Sequence, residues 1–149
     1  MYTNPISQFL ADSHAIVEKT LAKLTNENIN NRISENTASV GFLMQHIAEV
    51  HLSFNRLLFG EPIDFTPRTL RTEFEPNVVF DVDEIKNMQQ KGIEKIIRNT
   101  EAATDEMLNT EMKTFIGDKT PMYILFYLIH HNSYHLGQAE LAIKKGKSY

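Results

Sequence analysis

Thr120-Pro121-Met122-Tyr123-Ile124-Leu125-Phe126-Tyr127-Leu128-Ile129-His130-His131-Asn132-Ser133-Tyr134-His135-Leu136-Gly137-Gln138 is the stretch on which the fold turns. It opens as a helix should. Thr120 is an N-cap type, able to accept a backbone N–H, and Pro121 stands at the first helical position, where its missing N–H does no harm. Ile124, Leu128, His131, His135, Gln138 and Ala142 then recur at spacings of four and three, the seam of a helix packed into a core. That seam carries His131 and His135 one turn apart on nearly the same face. The helix is expected to run to about Lys145, before Gly146.

Three more helices read out upstream. The first starts after Asn4 with Pro5 near its beginning. It carries Ile6, Phe9, Leu10, Ser13, Val17, Leu21 and Leu24 at helical spacing and should end near Thr25. An Asn- and Glu-rich loop, 26–36, follows. The second spans about Ala38 to Leu58, with Thr37 as N-cap and Val40, Leu43, Ile47, Val50, Phe54 and Leu57 facing inward. Gly60 and Pro62 stop it. The third spans about Val82 to Ala103, with Asp81 or Asp83 near its start and Ile85, Met88, Ile93, Ile96 and Ile97 as its apolar positions. Pro62, Pro67 and Pro76 forbid a continuous helix over 60–81, a connection long enough to cross the end of a bundle. A second connection covers 105–119, with Gly117 as a turn residue. The expected fold is all-α: a single domain over residues 1–149, built as one four-helix bundle with a long crossover between helices two and three.

Composition narrows the function classes. At 149 residues and 42% hydrophobic the chain can bury a real core, and a net charge of −4 argues against a nucleic-acid partner, which wants a basic face. Lys144, Lys145 and Lys147 sit where cations suit a helix C-terminus. There is no cysteine. Disulfides, thiolate metal sites and a cysteine nucleophile are thereby excluded, and a cytoplasmic location is expected. Residues 1–5 lack the basic and apolar regions of a signal peptide, and no stretch approaches the roughly 20 apolar residues needed to span a bilayer.

Two imidazoles on an inward seam need partners for four ring nitrogens. A metal ion would satisfy one nitrogen of each ring. Two core histidines bonded to other side chains is the plainer reading of an HxxxH spacing by itself. His46, next to the core position Ile47 on the second helix, shifts the balance. If the second and fourth helices are neighbours, His46 can meet His131 and His135, and three imidazoles leave a metal an open position, as catalytic zinc sites do. His130 points about 100° away from His131. His51 and His14 read as surface or packed residues.

The HxxxHxGQ pattern of His131, His135, Gly137 and Gln138, together with Leu43-Met44-Gln45-His46-Ile47-Ala48-Glu49, resembles the DinB/YfiT-like family of metal-dependent proteins. The resemblance covers essentially the whole chain. It implies His46, His131 and His135 as metal ligands and an up-down-down-up, left-handed bundle. It also implies homodimers, and in some relatives an S-transferase or isomerase activity with glutathione, bacillithiol or mycothiol.

Three functions fit. The first is a metal-dependent thiol S-transferase acting on a small molecule. Its thiol would be a low-molecular-weight cofactor, Gln138 would orient a ligand or substrate, and Glu49, one turn after His46, would support it unless it belongs to a solvated face. The second is a metal-dependent hydrolase, for which Tyr134 and Glu49 are weak candidates as base. The third is a non-catalytic metal-binding stress-response or interaction module. Haem is a remote fourth, because two histidines on one turn suit a small ion better than opposed axial ligation. Zinc and nickel lead the metals that three imidazoles suit, copper and iron following, and affinity alone does not sort them.

Overall fold

The computed structural model describes residues 2–70 and 78–149, so Pro76 lies outside the described residues. The architecture is predominantly helical. Four long helices, α1 (Pro5–Leu21), α2 (Val40–Phe59), α3 (Val82–Ala102) and α5 (Pro121–Lys145), are joined by a short helix α4 (Asp105–Asn109) and a two-stranded hairpin of β1 (Met112–Thr114) and β2 (Gly117–Lys119). Each long helix begins on a side chain that accepts a backbone N–H: Asn4 from Ile6, Ser39 from Phe42, Asp81 from Glu84 and Thr120 from Tyr123. Gly60, at φ 71°, closes α2 in the left-handed conformation that a glycine adopts without strain.

Several sequence expectations are corrected. α1 ends at Leu21, not near Thr25. Leu24 is nonetheless in the core, because tight turns from Lys23 to Thr20 and from Leu24 to Leu21 fold it back. The N-cap of α2 is Ser39, not Thr37, whose hydroxyl instead bonds the Ser34 carbonyl. The 105–119 connection contains α4 and the hairpin, in which Met112 pairs with Lys119. On α1, Phe9 faces outward, and His14, not Ser13, takes the buried position.

α2 packs against α3 and α5, and α1 packs against the same two helices. Gln89 donates to the Met44 carbonyl at 2.9 Å, and Asn99 to Asn55 at 3.2 Å, across α3 and α2. Phe54 stacks with Tyr127 while His46 meets His135, across α2 and α5. Phe9 meets Phe126, and Thr20 donates to Glu140 at 2.7 Å, across α1 and α5. Asn4 reaches the Thr100 carbonyl across α1 and α3.

The interior divides in two. One apolar cluster gathers Val17, Leu24, Val40, Met44, Ile47, Ile85, Leu136 and Ala139; the other gathers Ile6, Leu10, Phe54, Leu58, Ile96, Ile124, Leu125 and Leu128. Along α1, α3 and α5, one buried polar residue lies between the contributions to the two clusters: His14, Gln89 and Asn132; on α2 Glu49 lies there, with His51 just after Val50. Gly92 lets α3 approach at this level, since a Cβ there would stand 2.7 Å from the Cβ of His51.

Candidate metal centre

α2 brings His46 to the face of α5 that carries His131 and His135. One ligand atom from each of the three half-buried imidazoles lies within 4.8 Å of the others. Ring centroids are 5.0 Å apart for His46 and His131, 4.9 Å for His46 and His135, and 4.5 Å for the α5 pair. Among the described residues this is the one such grouping of potential ligands. The α5 seam is slightly rotated from its sequence reading. Leu125, Leu128, Asn132, Leu136 and Ala139 face the interior, His131 and His135 flank that stripe, and Gln138 is exposed, which corrects its expected inward placement.

The partners of the three rings fix their tautomers. Nδ1–H of His46 donates to the Thr69 carbonyl at 3.0 Å, and Nδ1–H of His135 donates to Gln138 Oε1 at 3.0 Å. His131 Nδ1 faces Asn132 Oδ1 at a longer 3.4 Å. Those oxygens can only accept, so in the neutral form of each ring the hydrogen sits on Nδ1 and Nε2 keeps its lone pair. Two of these atoms, on His46 and His131, are 3.1 Å apart. Burial, then the neighbouring His135 and His46, push His131 down to about 4, and burial with His135 also lowers His46. Both rings therefore stay neutral at pH 7. Converging neutral nitrogen donors with oriented outer partners are the chemistry a divalent transition metal takes.

Glu49 departs from two of the three readings considered for it from sequence, since it neither lies on a solvated face nor is free to act as a base; its contacts fit the third, support of His46, through an intervening segment. It is fully buried. Its Oε1 accepts from Gln45 Nε2 at 2.8 Å and the Arg68 N–H at 3.0 Å; its Oε2 accepts from the Thr69 N–H at 2.9 Å and the Thr69 hydroxyl at 2.7 Å. Glu49 thus anchors the 68–69 segment, whose Thr69 carbonyl orients His46. Thr69 is the site residue that sequence reasoning missed. No periodicity marks a loop carbonyl 23 positions from the ring it holds.

The remaining histidines lie elsewhere. His51 is buried on α2 and accepts from Asn132 Nδ2 at 2.8 Å. Burial, assisted by nearby His14 and partly offset by Gln89, pushes it down to about 3. His14 is buried beside it, with ring centroids 5.9 Å apart. His130 is exposed. Tyr134 is 61% exposed, its ring 5.1 Å from that of His135.

The DinB family model matches residues 1–146, and the chain belongs to that family. Two solved structures share its fold. One is a conserved protein of Enterococcus faecalis, 19% identical, with a TM-score of 0.77 over 97% of both chains. The other is a DinB-like protein, YjoA, of Bacillus subtilis, also 19% identical, with a TM-score of 0.70 over 95% of this chain and 92% of that one. No curated protein matches the sequence.

Proposed function

We propose that this DinB-family chain is a metal-dependent enzyme in which His46, His131 and His135 hold one divalent ion, zinc or nickel before others, and that it transfers a low-molecular-weight thiol to a small-molecule electrophile. The observation that carries the reading is the convergence of three imidazoles whose Nδ1 atoms face acceptors, leaving three Nε2 lone pairs for one ion. When bound, such an ion supplies positive charge that lowers the pKa of a thiol or water brought to it.

The chain's own residues position that site. Glu49 holds Thr69, Thr69 holds His46, and Phe42 stacks on the His46 ring at an interplanar angle of 11°. Gln138 holds His135 from the solvent side. The ligands are half-buried, which leaves an open approach. Without cysteine, the thiol must come from outside, as a glutathione- or bacillithiol-type cofactor.

Transfer is favoured over hydrolysis because a hydrolase needs a free base. Both Glu49 oxygens are already engaged, and Tyr134, whose ring borders that of His135, is mostly exposed. The contact pairs across the long helices support an up-down-down-up four-helix bundle. Residues 44 and 55 of α2 meet 89 and 99 of α3 in the same order, as do 9 and 20 of α1 with 126 and 140 of α5. A cytoplasmic setting and a homodimeric assembly complete the proposal, the second carried over from the family resemblance. No described helix is long and apolar enough to cross a membrane.

Plasma mass spectrometry on tag-free protein tests the site. About one metal per chain is expected, lost in His46→Ala and in His131→Ala; metal retained by both variants overturns the assignment. Turnover of a model electrophile that requires added thiol supports the transferase. Turnover without thiol turns the reading to a hydrolase, and none with metal bound turns it to a non-catalytic module.

A further inference from the structure

A small groove begins one helical turn from His46 and His135. Its deeper lining is Leu43, Ala142 and half-buried Ala38, and its exposed lining is Ile33, Thr37, Leu141 and Gln138. The cavity is about 230 Å³ and predominantly apolar. Gln138 Oε1 is the atom that accepts from His135 Nδ1, so a residue of the groove touches one of the ligands. Leu43 precedes His46 by three positions on α2, and Gln138 and Ala142 follow His135 by three and seven on α5. Since α2 and α5 meet at these levels, both helices extend from the ligands toward the groove.

The groove wall is held in place. Arg32 and Lys147 exchange backbone hydrogen bonds at 2.9 and 3.1 Å, and the Tyr149 hydroxyl donates to the Ile33 carbonyl at 3.1 Å. The loop that presents Ile33 is thus tied to the chain beyond α5.

The cavity is smaller than the roughly 300–1,000 Å³ of clefts that enclose a whole drug-sized ligand. It suits one apolar arm, with the polar head of the molecule outside it. Three to seven residues of helix rise place the arm about 5 to 10 Å along the axis from the ligands. At about 1.2 Å per bond of extended chain, that is roughly four to eight carbons.

We propose that this groove selects substrates: it takes a short unbranched apolar arm of a molecule whose coordinating head sits at the ion held by His46, His131 and His135. The inference rests on the metal reading above and adds the substrate class, a linear amphiphile with a Lewis-basic or electrophilic head.

The test uses the full chain loaded with cobalt(II) and a series of straight-chain hydroxamic acids, from acetohydroxamate to decanohydroxamate. Binding is read from the visible cobalt absorption, so no turnover is needed. Affinity should rise up to about fourfold per added methylene, the burial effect of one CH₂, and level off near eight carbons. Leu141→Ser, on an exposed wall, should reduce that rise while leaving acetohydroxamate affinity within twofold. Ala38→Phe, which fills the deeper part, should abolish the rise. Circular dichroism confirms folding of each variant, and Leu141→Ser decides the matter if Ala38→Phe does not fold. Cobalt bands with a chain-length series that is flat in the parent, or equally steep in Leu141→Ser, overturn the groove and leave the metal site standing. Absence of cobalt bands in the parent overturns the metal reading and this proposal with it.

Discussion

Two groups of histidines lie close together in this molecule and are used in opposite ways. His46, His131 and His135 are half-buried, the Nδ1 of each faces an oxygen acceptor, the Nε2 atoms of His46 and His131 face one another, and one ligand atom of His135 lies within 4.8 Å of theirs. His14 and His51 are deeper; His14 Nδ1 has no hydrogen-bond partner among the described residues, His51 is flanked by Gln89 and Asn132, and the two rings meet edge to face. Depth therefore does not mark the candidate ligands. Convergence of unprotonated nitrogens, each ring oriented from behind, does. Asn132 joins the two groups, since it donates to His51 and faces His131 with its oxygen.

The largest expected effect breaks one side of that contrast and spares the other. His135→Ala should remove most bound metal while the far-ultraviolet circular dichroism stays that of the parent; His51→Ala should leave metal near one per chain. Equal loss in both variants would erase the distinction.

Glu49→Ala comes next. It leaves the Thr69 and Arg68 N–H groups without their acceptor, costing about 1–3 kcal/mol for each buried donor left unpaired. It also frees the carbonyl that holds His46, so metal affinity should fall about 10–100-fold. Glu49→Gln, which keeps the shape and one acceptor oxygen, should fall between. An affinity equal to the parent in Glu49→Ala, by competition with a chromophoric chelator, would show that Thr69 needs no such anchor.

The deep pair sets a pH dependence for the metal-free protein. Unfolded, His51 takes a proton near 6.5; folded, it stays neutral until about 3. Its contribution to stability is therefore unaffected above pH 6.5 and is lost as pH falls from 6.5 toward 3, at up to about 1.4 kcal/mol per pH unit. His14, lowered chiefly by burial, acts in the same direction. Urea unfolding between pH 7.5 and 4.5 should show a slope that His51→Phe reduces by about one proton. An unchanged slope would mean that His51 is not the group held neutral.

The smallest effects belong to residues outside both groups. His130→Ala should change neither metal content nor midpoint beyond about 0.5 kcal/mol, the range of an exposed substitution. A metal loss like that of His131→Ala would reverse the reading of the α5 face.

The long helices and the three converging histidines were legible because each rests on a local rule: apolar recurrence, caps at Asp81 and Thr120, and one-turn spacing. Less legible was α2, whose buried residues surround it on most sides and include Gln45, Glu49, His51 and Asn55. A stripe search assigns polar residues to solvent, and so it misplaced Glu49. Three of its four hydrogen bonds come from an irregular segment 19 and 20 positions away, and no spacing rule reaches that far. The hairpin stayed hidden because strands of three residues hold too few positions to display an alternation. Gln138 followed the helical count but sits at the edge of the packed face, where a few degrees of rotation decide exposure.

The divided interior bears on how the molecule opens. α2 supplies Val40 to Ile47 to one apolar cluster and Val50 to Leu58 to the other, so it is the spine of both halves. Amide exchange should then fall into two protection classes, one for each end of α1 and α3, because partial openings follow the polar level rather than the helix boundaries. An ion gripped by His46 on α2 and by His131 and His135 on α5 would pin the spine to its neighbour beside that seam. It would slow exchange at both ends at once, although it touches only three side chains.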